Sequence, residues 1–301
     1  MSFFEDLEKK ISTAEKCKVV IPCADNKELA AAIKKAMSKG FIAPILIGNK
    51  EKLESIYGDT LSSPDTTFIE SSEEIESIRL AMNLMKENKA DLLMKGMNQT
   101  VNLIKAILDK SYGFCENRFI SHQTFFQLPD KESFMIMSDA AVNVAPDEET
   151  MVKEIENAAI SFQHYAGRNA KVALLAANEK VTPKIVATVI ESSACEKFIG
   201  REDLIVEGPL SFDLAISHKS AQIKKYTGKI QGDADVLICP RIETSNALYK
   251  SLQHNVSVPM GGIVFGASIP IALCSRSDNQ ETKYNSLLLG ILEWQRMTKG
   301  N

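Results

Sequence analysis

Residues 18–47 read KVVIPCADNKELAAAIKKAMSKGFIAPILI, and this stretch decides the fold. Lys18 to Pro22 is a short β-branched run with the composition of a buried strand. It is followed by a helical pattern from about Asn26 to Ser38 that opens with Asp25 and Glu28 in capping-box spacing and stops at Gly40. A second apolar run, Ile42 to Ile47, then begins. A strand, a helix and a second strand in about thirty residues form a βαβ unit, whose strands lie parallel.

The same alternation continues along the chain. The predicted pairs are Thr67 to Glu70 with Ser72 to Asn88, Asp91 to Lys95 with Thr100 to Asp109, and Phe134 to Ser138 with Asp147 to Tyr165. Next come Lys171 to Ala176 with Thr182 to Ser193, Leu204 to Glu207 with Ser211 to Ser217, and Asp235 to Cys239 with Thr244 to Gln253. An α/β protein follows, with mostly parallel sheets and helices on both faces. At 301 residues the chain exceeds the usual single domain, so two α/β domains are expected. The break is placed where Val144-Ala145-Pro146-Asp147 ends one β-rich stretch and caps a new helix. That gives a first domain of residues 1–143 plus about 277–301 and a second of 144–276.

Composition narrows the function. With 45% hydrophobic residues, 25% charged residues and a net charge of −4, the chain has no basic excess to hold nucleic acid. No run approaches the ~20 apolar residues of a membrane helix, and the Met-Ser-Phe-Phe-Glu-Asp start lacks the basic and apolar regions of a signal peptide. The 6 cysteines form no C-x-x-C pair or regular framework, which fits a reducing, cytoplasmic setting. There is no P-loop, G-x-G-x-x-G, G-x-S-x-G or H-E-x-x-H, and the 4 histidines are too far apart for a local zinc motif. No metal or cofactor is expected.

The chemistry concentrates where strands end. Parallel sheets bind ligands outside the carboxyl ends of their strands. Polar segments fall there: Lys95-Gly96 to Thr100, Ser138 to Asn143, Gly208 to Asp213, and Pro240 to Asn246. Taken singly, each is also an ordinary strand-to-helix turn with its cap. Pro270 to Cys274 runs into Ser275-Arg276 and then a helix start. A hydroxyl and a guanidinium before a helix N-terminus suit a small oxyanion, because free N–H groups and the helix dipole add to the arginine's charge.

These segments carry a family likeness from about Lys18 to Leu292. The blocks are KADLLMKGMNQTVNLIKAILDK (89–110), FISHQTF (119–125), MSDAAVNVAP (137–146), VEGPLSFDLAIS (206–217), GDADVLICPRIETSNALYKSL (232–252) and GGIVFGASIPIALCSRSDNQETKYNSLLL (261–289). In this order they resemble the phosphate acetyl/butyryltransferase family, most of all its butyryltransferase branch. The resemblance implies reversible transfer of a short acyl group between coenzyme A and inorganic phosphate. It also implies a two-domain fold like the isocitrate and isopropylmalate dehydrogenases, with the active site in the cleft between domains. A homo-oligomer, dimer or higher, is implied as well, with coenzyme A thioester as a substrate and no cofactor. An acetyltransferase and a non-catalytic acyl-CoA or phosphate sensor are the alternatives. A metal-dependent 2-hydroxyacid dehydrogenase would need an aspartate cluster and a nucleotide loop that are not apparent.

The site residues follow from motif and resemblance together. Arg276 grips phosphate bidentately, and Ser275 donates to phosphate or to the thioester oxygen. In the family's acetyltransferase branch an aspartate lies seven residues beyond the signature serine; here Thr282 stands there. That leaves Glu281 and Asp278 as carboxylates for proton handling, although Asp-x-x-Glu is also capping-box spacing. Substrate binding is assigned to Lys95, Gly96, Ser121, His122, Asp213, Glu243, Thr244 and Asn246. The cations open to coenzyme A phosphates are Lys95, Lys110, Arg118, Lys219 and Lys250. Cys274, beside Ser275, invites a covalent acyl-cysteine route, but a cysteine ending an apolar strand is more often a small core residue.

Overall fold

In the computed structural model, which describes residues 2–129 and 131–299, the strand-helix alternation is present and the chain divides into two compact units. The first unit begins with α1 (Phe3–Lys10), β1 (Cys17–Pro22), α2 (Lys27–Ser38), β2 (Ile42–Gly48), α3 (Lys50–Tyr57), β3 (Thr67–Glu70), α4 (Glu74–Lys86), β4 (Leu92–Met94) and α5 (Thr100–Leu108). The second unit holds β5 (Ser121–Phe126), β6 (Met135–Ser138), α6 (Glu148–Ala166), β7 (Lys171–Leu175), α7 (Val186–Glu196) and β8 (Ile205–Leu210). It continues with α8 (Phe212–Ile216), α9 (His218–Ile223), β9 (Val236–Ile238) and α10 (Ile242–Ser251). The chain then returns to the first unit for β10 (Met260–Phe265), β11 (Ile271–Ala272) and α11 (Gln280–Lys299).

In the first unit the strand order is β3-β2-β1-β4-β11-β10, parallel except where β10 meets β11. Its core joins Val19, Ile21 and Leu46 of the sheet to Leu29 and Ile33 of α2 and to Leu287, Leu288 and Ile291 of α11. Residues 282–291 of α11 are buried on every side, as in a helix that runs through a core rather than along a surface. Gly290 permits that approach: a Cβ there would lie 2.7 Å from a Leu92 methyl group.

In the second unit the order is β5-β6-β9-β7-β8, with β5 antiparallel to β6 and the rest parallel. The core is built on Phe125, Ile136, Met137, Ile155, Phe162, Val172 and Leu237. No helix of the described residues is long and apolar enough to cross a membrane.

Several local expectations shift. The α2 cap is Asn26, whose Oδ1 accepts the Leu29 N–H at 2.8 Å, while Asp25 pairs with Lys52 instead. Helix α7 starts at Val186 rather than Thr182, because Pro183 interrupts the pattern and Thr188 turns its Oγ1 back to the Thr182 and Ile185 carbonyls. The unit boundaries fall at Phe119/Ile120 and Val258/Pro259 rather than at 143/144 and 276/277. The reason is pairing: β5 is bonded to β6 and belongs with it, and β10 and β11 complete the first sheet.

Candidate active site

Two strand ends of the first unit run out of the sheet side by side. β11 pairs in parallel with β4, with Ile271 opposite Leu93 and Ala272 opposite Met94, and the Lys95 N–H continues the ladder to the Ala272 carbonyl at 2.9 Å. Lys95-Gly96 therefore leaves the sheet beside the segment that carries Ser275-Arg276. Gly96 is required where it stands, since a Cβ would lie 2.0 Å from the Pro22 carbonyl oxygen. The next N–H, that of Met97, bonds to the Cys23 carbonyl at 2.8 Å and seats this turn on the end of β1.

Lys95 is buried, and its Nζ donates to the Gly96 carbonyl at 3.0 Å. Burial pulls its ammonium down to about 8, the nearby Arg276 and Lys283 push the same way, and Cys274 and Asp278 oppose. Two further cations and one carboxylate thus lie within electrostatic reach of Lys95. Arg276 is exposed, and Ser275 is half-buried with its Oγ 3.2 Å from Ser277 Oγ. Cys274 is buried, and burial with the Asp278 charge raises its thiol to about 11, against the pull of Lys283, Lys95 and a Ser286 hydrogen bond. A thiol held there is mostly protonated near neutral pH and a poor nucleophile.

The loop from Ser275 to Asp278 is fixed from beneath. Asp278, 1% exposed, accepts the Ser275 N–H at 2.6 Å. Lys283, 3% exposed, donates to the carbonyls of Ser275 and Arg276 at 3.2 Å each and of Asp278 at 2.5 Å. These bonds spend its three protons on backbone oxygens. The ammonium satisfies three carbonyls that would otherwise be orphaned at a buried turn.

Asp278 and Glu281 do not form a capping box. The cap of α11 is Asn279, whose Oδ1 accepts the Thr282 N–H at 2.8 Å. Glu281 is exposed and lines a recess of about 550 Å³ with Phe4 and Glu8 of α1, Lys35 of α2 and Tyr284. Of the two sequence-derived carboxylates, Asp278 lies under the Ser-Arg step. Thr282 is buried, and its carbonyl accepts the Ser286 hydroxyl at 2.8 Å.

The remaining assigned residues belong to the second unit. Ser121 and His122 lie on β5 and are buried; the His122 N–H donates to Asp139 Oδ2 at 2.8 Å, and Asn157 donates to Ser121 Oγ at 3.3 Å. Asp139 organises this corner. Its carboxylate also accepts the N–H groups of Ala141 and Val142 and the Asn143 amide at 2.7, 2.8 and 2.9 Å. The Ser245 hydroxyl bonds to the Asp139 carbonyl and ties α10 to the turn that follows β6. Glu243, Thr244 and Asn246 flank Ser245 in the first turns of α10, all exposed. Asp213 is bound by Lys224 at 3.0 Å, in a network where Lys224 also meets Ser211 and Glu179.

The second unit holds two fully buried carboxyls, Glu154 near Asp139 and Glu191. Burial raises Glu154 to about 9, the Asp139 charge adds to this and an Asn143 hydrogen bond opposes it; burial alone raises Glu191 to about 8. Both are protonated near neutral pH.

The residues missed in the sequence are Lys283 and Asp139. Lys283 lies four positions after the cap Asn279, on the helix face that returns under the loop. That spacing was readable only with the helix start fixed at Asn279.

Comparison with known proteins places the chain. The family described as phosphate acetyl/butaryl transferase matches residues 65–291. A probable phosphate butyryltransferase of Bacillus subtilis is 34% identical over 298 residues, covering 98% of this chain and 99% of the relative. A phosphate butyryltransferase of Clostridium acetobutylicum is 30% identical, covering 96% and 97% of the two chains. The crystal structure of a branched-chain phosphotransacylase from Enterococcus faecalis superposes with a TM-score of 0.81 at 30% identity, over 92% of this chain and 99% of that one.

Proposed function

We propose, because this chain belongs to the phosphate acetyl/butaryl transferase family and is a phosphate acyltransferase, that it exchanges short linear or branched acyl groups of the butyryl type between coenzyme A and inorganic phosphate. The observation that carries the reading is the Ser275-Arg276 step, where Arg276 and Lys283 lie within electrostatic reach of Lys95 and Asp278 is the nearby carboxylate. That excess of positive charge suits the roughly two negative charges of a phosphate near neutral pH.

In this reading Arg276 holds two phosphate oxygens, Lys95 adds charge from below, and Ser275 Oγ donates to the phosphate or to the thioester oxygen. A phosphate oxygen attacks the thioester carbon. The carbonyl oxygen carries the negative charge of the tetrahedral intermediate, the C–S bond breaks, and coenzyme A leaves as the thiolate, which takes the proton brought by the attacking hydrogen phosphate. Acyl phosphate remains. The buried, protonated Cys274 favours this direct route over an acyl-enzyme. Asp278 and Lys283 act as positioning residues that fix the loop before substrate arrives. Coenzyme A thioester is the only cofactor-like molecule required, and the setting is cytoplasmic, with the chain acting as a homo-oligomer.

The butyryl preference is supported by the names of the two relatives and the E. faecalis structure, and by Thr282 where the acetyltransferase branch has an aspartate. The test is an initial-rate series from acetyl- to octanoyl-CoA at saturating phosphate. A kcat/KM maximum at four or five carbons is expected. A maximum at acetyl-CoA would move the protein to the acetyltransferase branch.

A further inference from the structure

Helix α6 packs on β5 and β6 of the second unit, and the layer between them is apolar at one end and polar at the other. The buried stripe of α6 is Met151, Glu154, Ile155, Ala158, Ser161 and Phe162. At the apolar end the Phe162 and Phe134 rings lie 5.0 Å apart, and Phe125 meets Phe134 at 5.7 Å and Tyr165 of α6 at 4.9 Å. Alternation along β5 puts Ser121 and Gln123 on the same face as Phe125. Ser138 of β6 stands directly opposite Gln123 in the antiparallel pairing and shares that face. Asn157 of α6 donates to Ser121 Oγ at 3.3 Å, so the face is the one turned to the helix. Beyond the rings the layer is lined by Gln123, Ser138, Glu154 and Ser161, all wholly buried.

Six side-chain atoms of these four residues have no hydrogen-bond partner among the described residues: both amide atoms of Gln123, both carboxyl oxygens of Glu154 and the two serine hydroxyls. The Asn143 amide approaches Glu154, but its two protons go to the Ile120 carbonyl at 3.1 Å and to Asp139 Oδ2 at 2.9 Å. Buried polar groups in proteins are nearly all paired, and an unpaired set of this size would cost a sizeable part of a domain's stability. The aromatic rings hold helix and sheet apart at one end of the layer. At the other end the short side chains of Ser138, Ala158 and Ser161 do not close the space that remains.

We propose that this seam binds a cluster of internal water molecules, which bridge Gln123 and Ser138 of the sheet to Glu154 and Ser161 of the helix. At about three hydrogen bonds per buried water, the unpaired atoms require about two. Water suits a lining that must be met by donors and acceptors at once: an amide, two hydroxyls and a protonated carboxyl offer both. A cation suits it poorly. Glu154 is neutral, and the nearby Asp139 carboxylate already accepts four N–H groups. The waters make the polar sequence of β5 compatible with full burial and fasten the Ser121 and Ser138 ends of the two strands to α6. The seam lies within the second unit and owes nothing to the acyltransferase reading.

The experiment is a high-resolution crystal structure of the full chain, with one set of crystals soaked in rubidium, beside water oxygen-17 relaxation dispersion in solution for the wild type and for Gln123→Met/Glu154→Met. The crystal should show about two well-ordered waters, each bonded to at least two of the four side chains, and no anomalous rubidium peak between them. In solution the double variant should lose the signal of about two long-lived waters. Direct hydrogen bonds among Gln123, Glu154 and Ser161 that close the seam overturn the proposal. A rubidium peak there also overturns it and gives the seam to a monovalent cation. An unchanged dispersion amplitude in a folded double variant has the same force. Should that variant fail to fold, the wild-type crystals decide alone.

Discussion

The two units bury charge in opposite ways. In the first, Lys95 and Lys283 are nearly inaccessible, yet one is paid for by three carbonyls and the other lies beside Asp278 and a half-open loop. In the second, Glu154 and Glu191 are fully buried, and both are held in the neutral form by burial. A charge kept inside a protein needs partners; a carboxyl without a counter-cation gives up its charge instead. In the proposed function the first arrangement receives an anion, whereas the second holds neutral carboxyls in the interior.

The largest effect that could break this contrast is expected at Arg276. Arg276→Lys should keep the fold and lower kcat/KM for phosphate by roughly 10²-fold or more, since a point charge cannot replace a bidentate grip. Near-normal phosphate kinetics would remove the anion site from the first unit. Next comes the support beneath it. Lys283→Met, which strips three carbonyls of their donor, should reduce kcat/KM for phosphate by about 10-fold and lower Tm. Glu281→Gln, in its separate recess, should stay within about 2-fold of wild type. If instead the Glu281 change is the damaging one, the proton-handling carboxylate lies on α11's other face and the role of the loop must be redrawn.

Much of this was legible in the sequence, though unevenly. The βαβ rhythm from Lys18 to Ile47, the strand ends and the Ser275-Arg276 step all depend on local pattern, and local pattern survives into the fold. Strand β5 has no strand pattern in the sequence, because Ser121-His122-Gln123-Thr124 is polar while every residue is buried. Its pairing with β6 also moved the unit boundary. Asp278 and Glu281 matched capping-box spacing, but Asn279 took the cap and left the two carboxylates in different surroundings. Spacing along a chain cannot say which of two neighbouring polar residues turns inward. The burial of Lys283 depends on α11 passing through the core, which is a tertiary fact.

Titration sharpens the contrast with smaller effects. Lys95 loses its charge near pH 8 in the free protein, and an anion site weakens when a cation deprotonates. KM for phosphate should therefore rise as pH passes about 8, and the rise should flatten in Lys95→Met, whose KM is higher throughout. A parallel pH profile in that variant would place Lys95 outside the site. In the second unit the sign concerns stability. Glu154 and Glu191 hold protons in the folded chain that the unfolded chain has released above its ordinary carboxyl pKa of about 4.3, so their stabilising contribution is complete below that value. It is lost as pH rises toward about 8 and 9. Glu154→Gln and Glu191→Gln should raise Tm more at pH 8.5 than at pH 5 and leave phosphate kinetics nearly unchanged. An equal Tm shift at both pH values would mean that these carboxyls are already charged inside the fold.

The most direct test of the central claim is thiol release from butyryl-CoA by the purified protein, followed with and without phosphate, with arsenate as a second acceptor. The account predicts release only when one of these anions is present, saturating with its concentration and nearly abolished in Arg276→Lys at low phosphate. Release at the same rate without either anion would make water the acceptor and contradict the assignment of Ser275-Arg276 as a phosphate site.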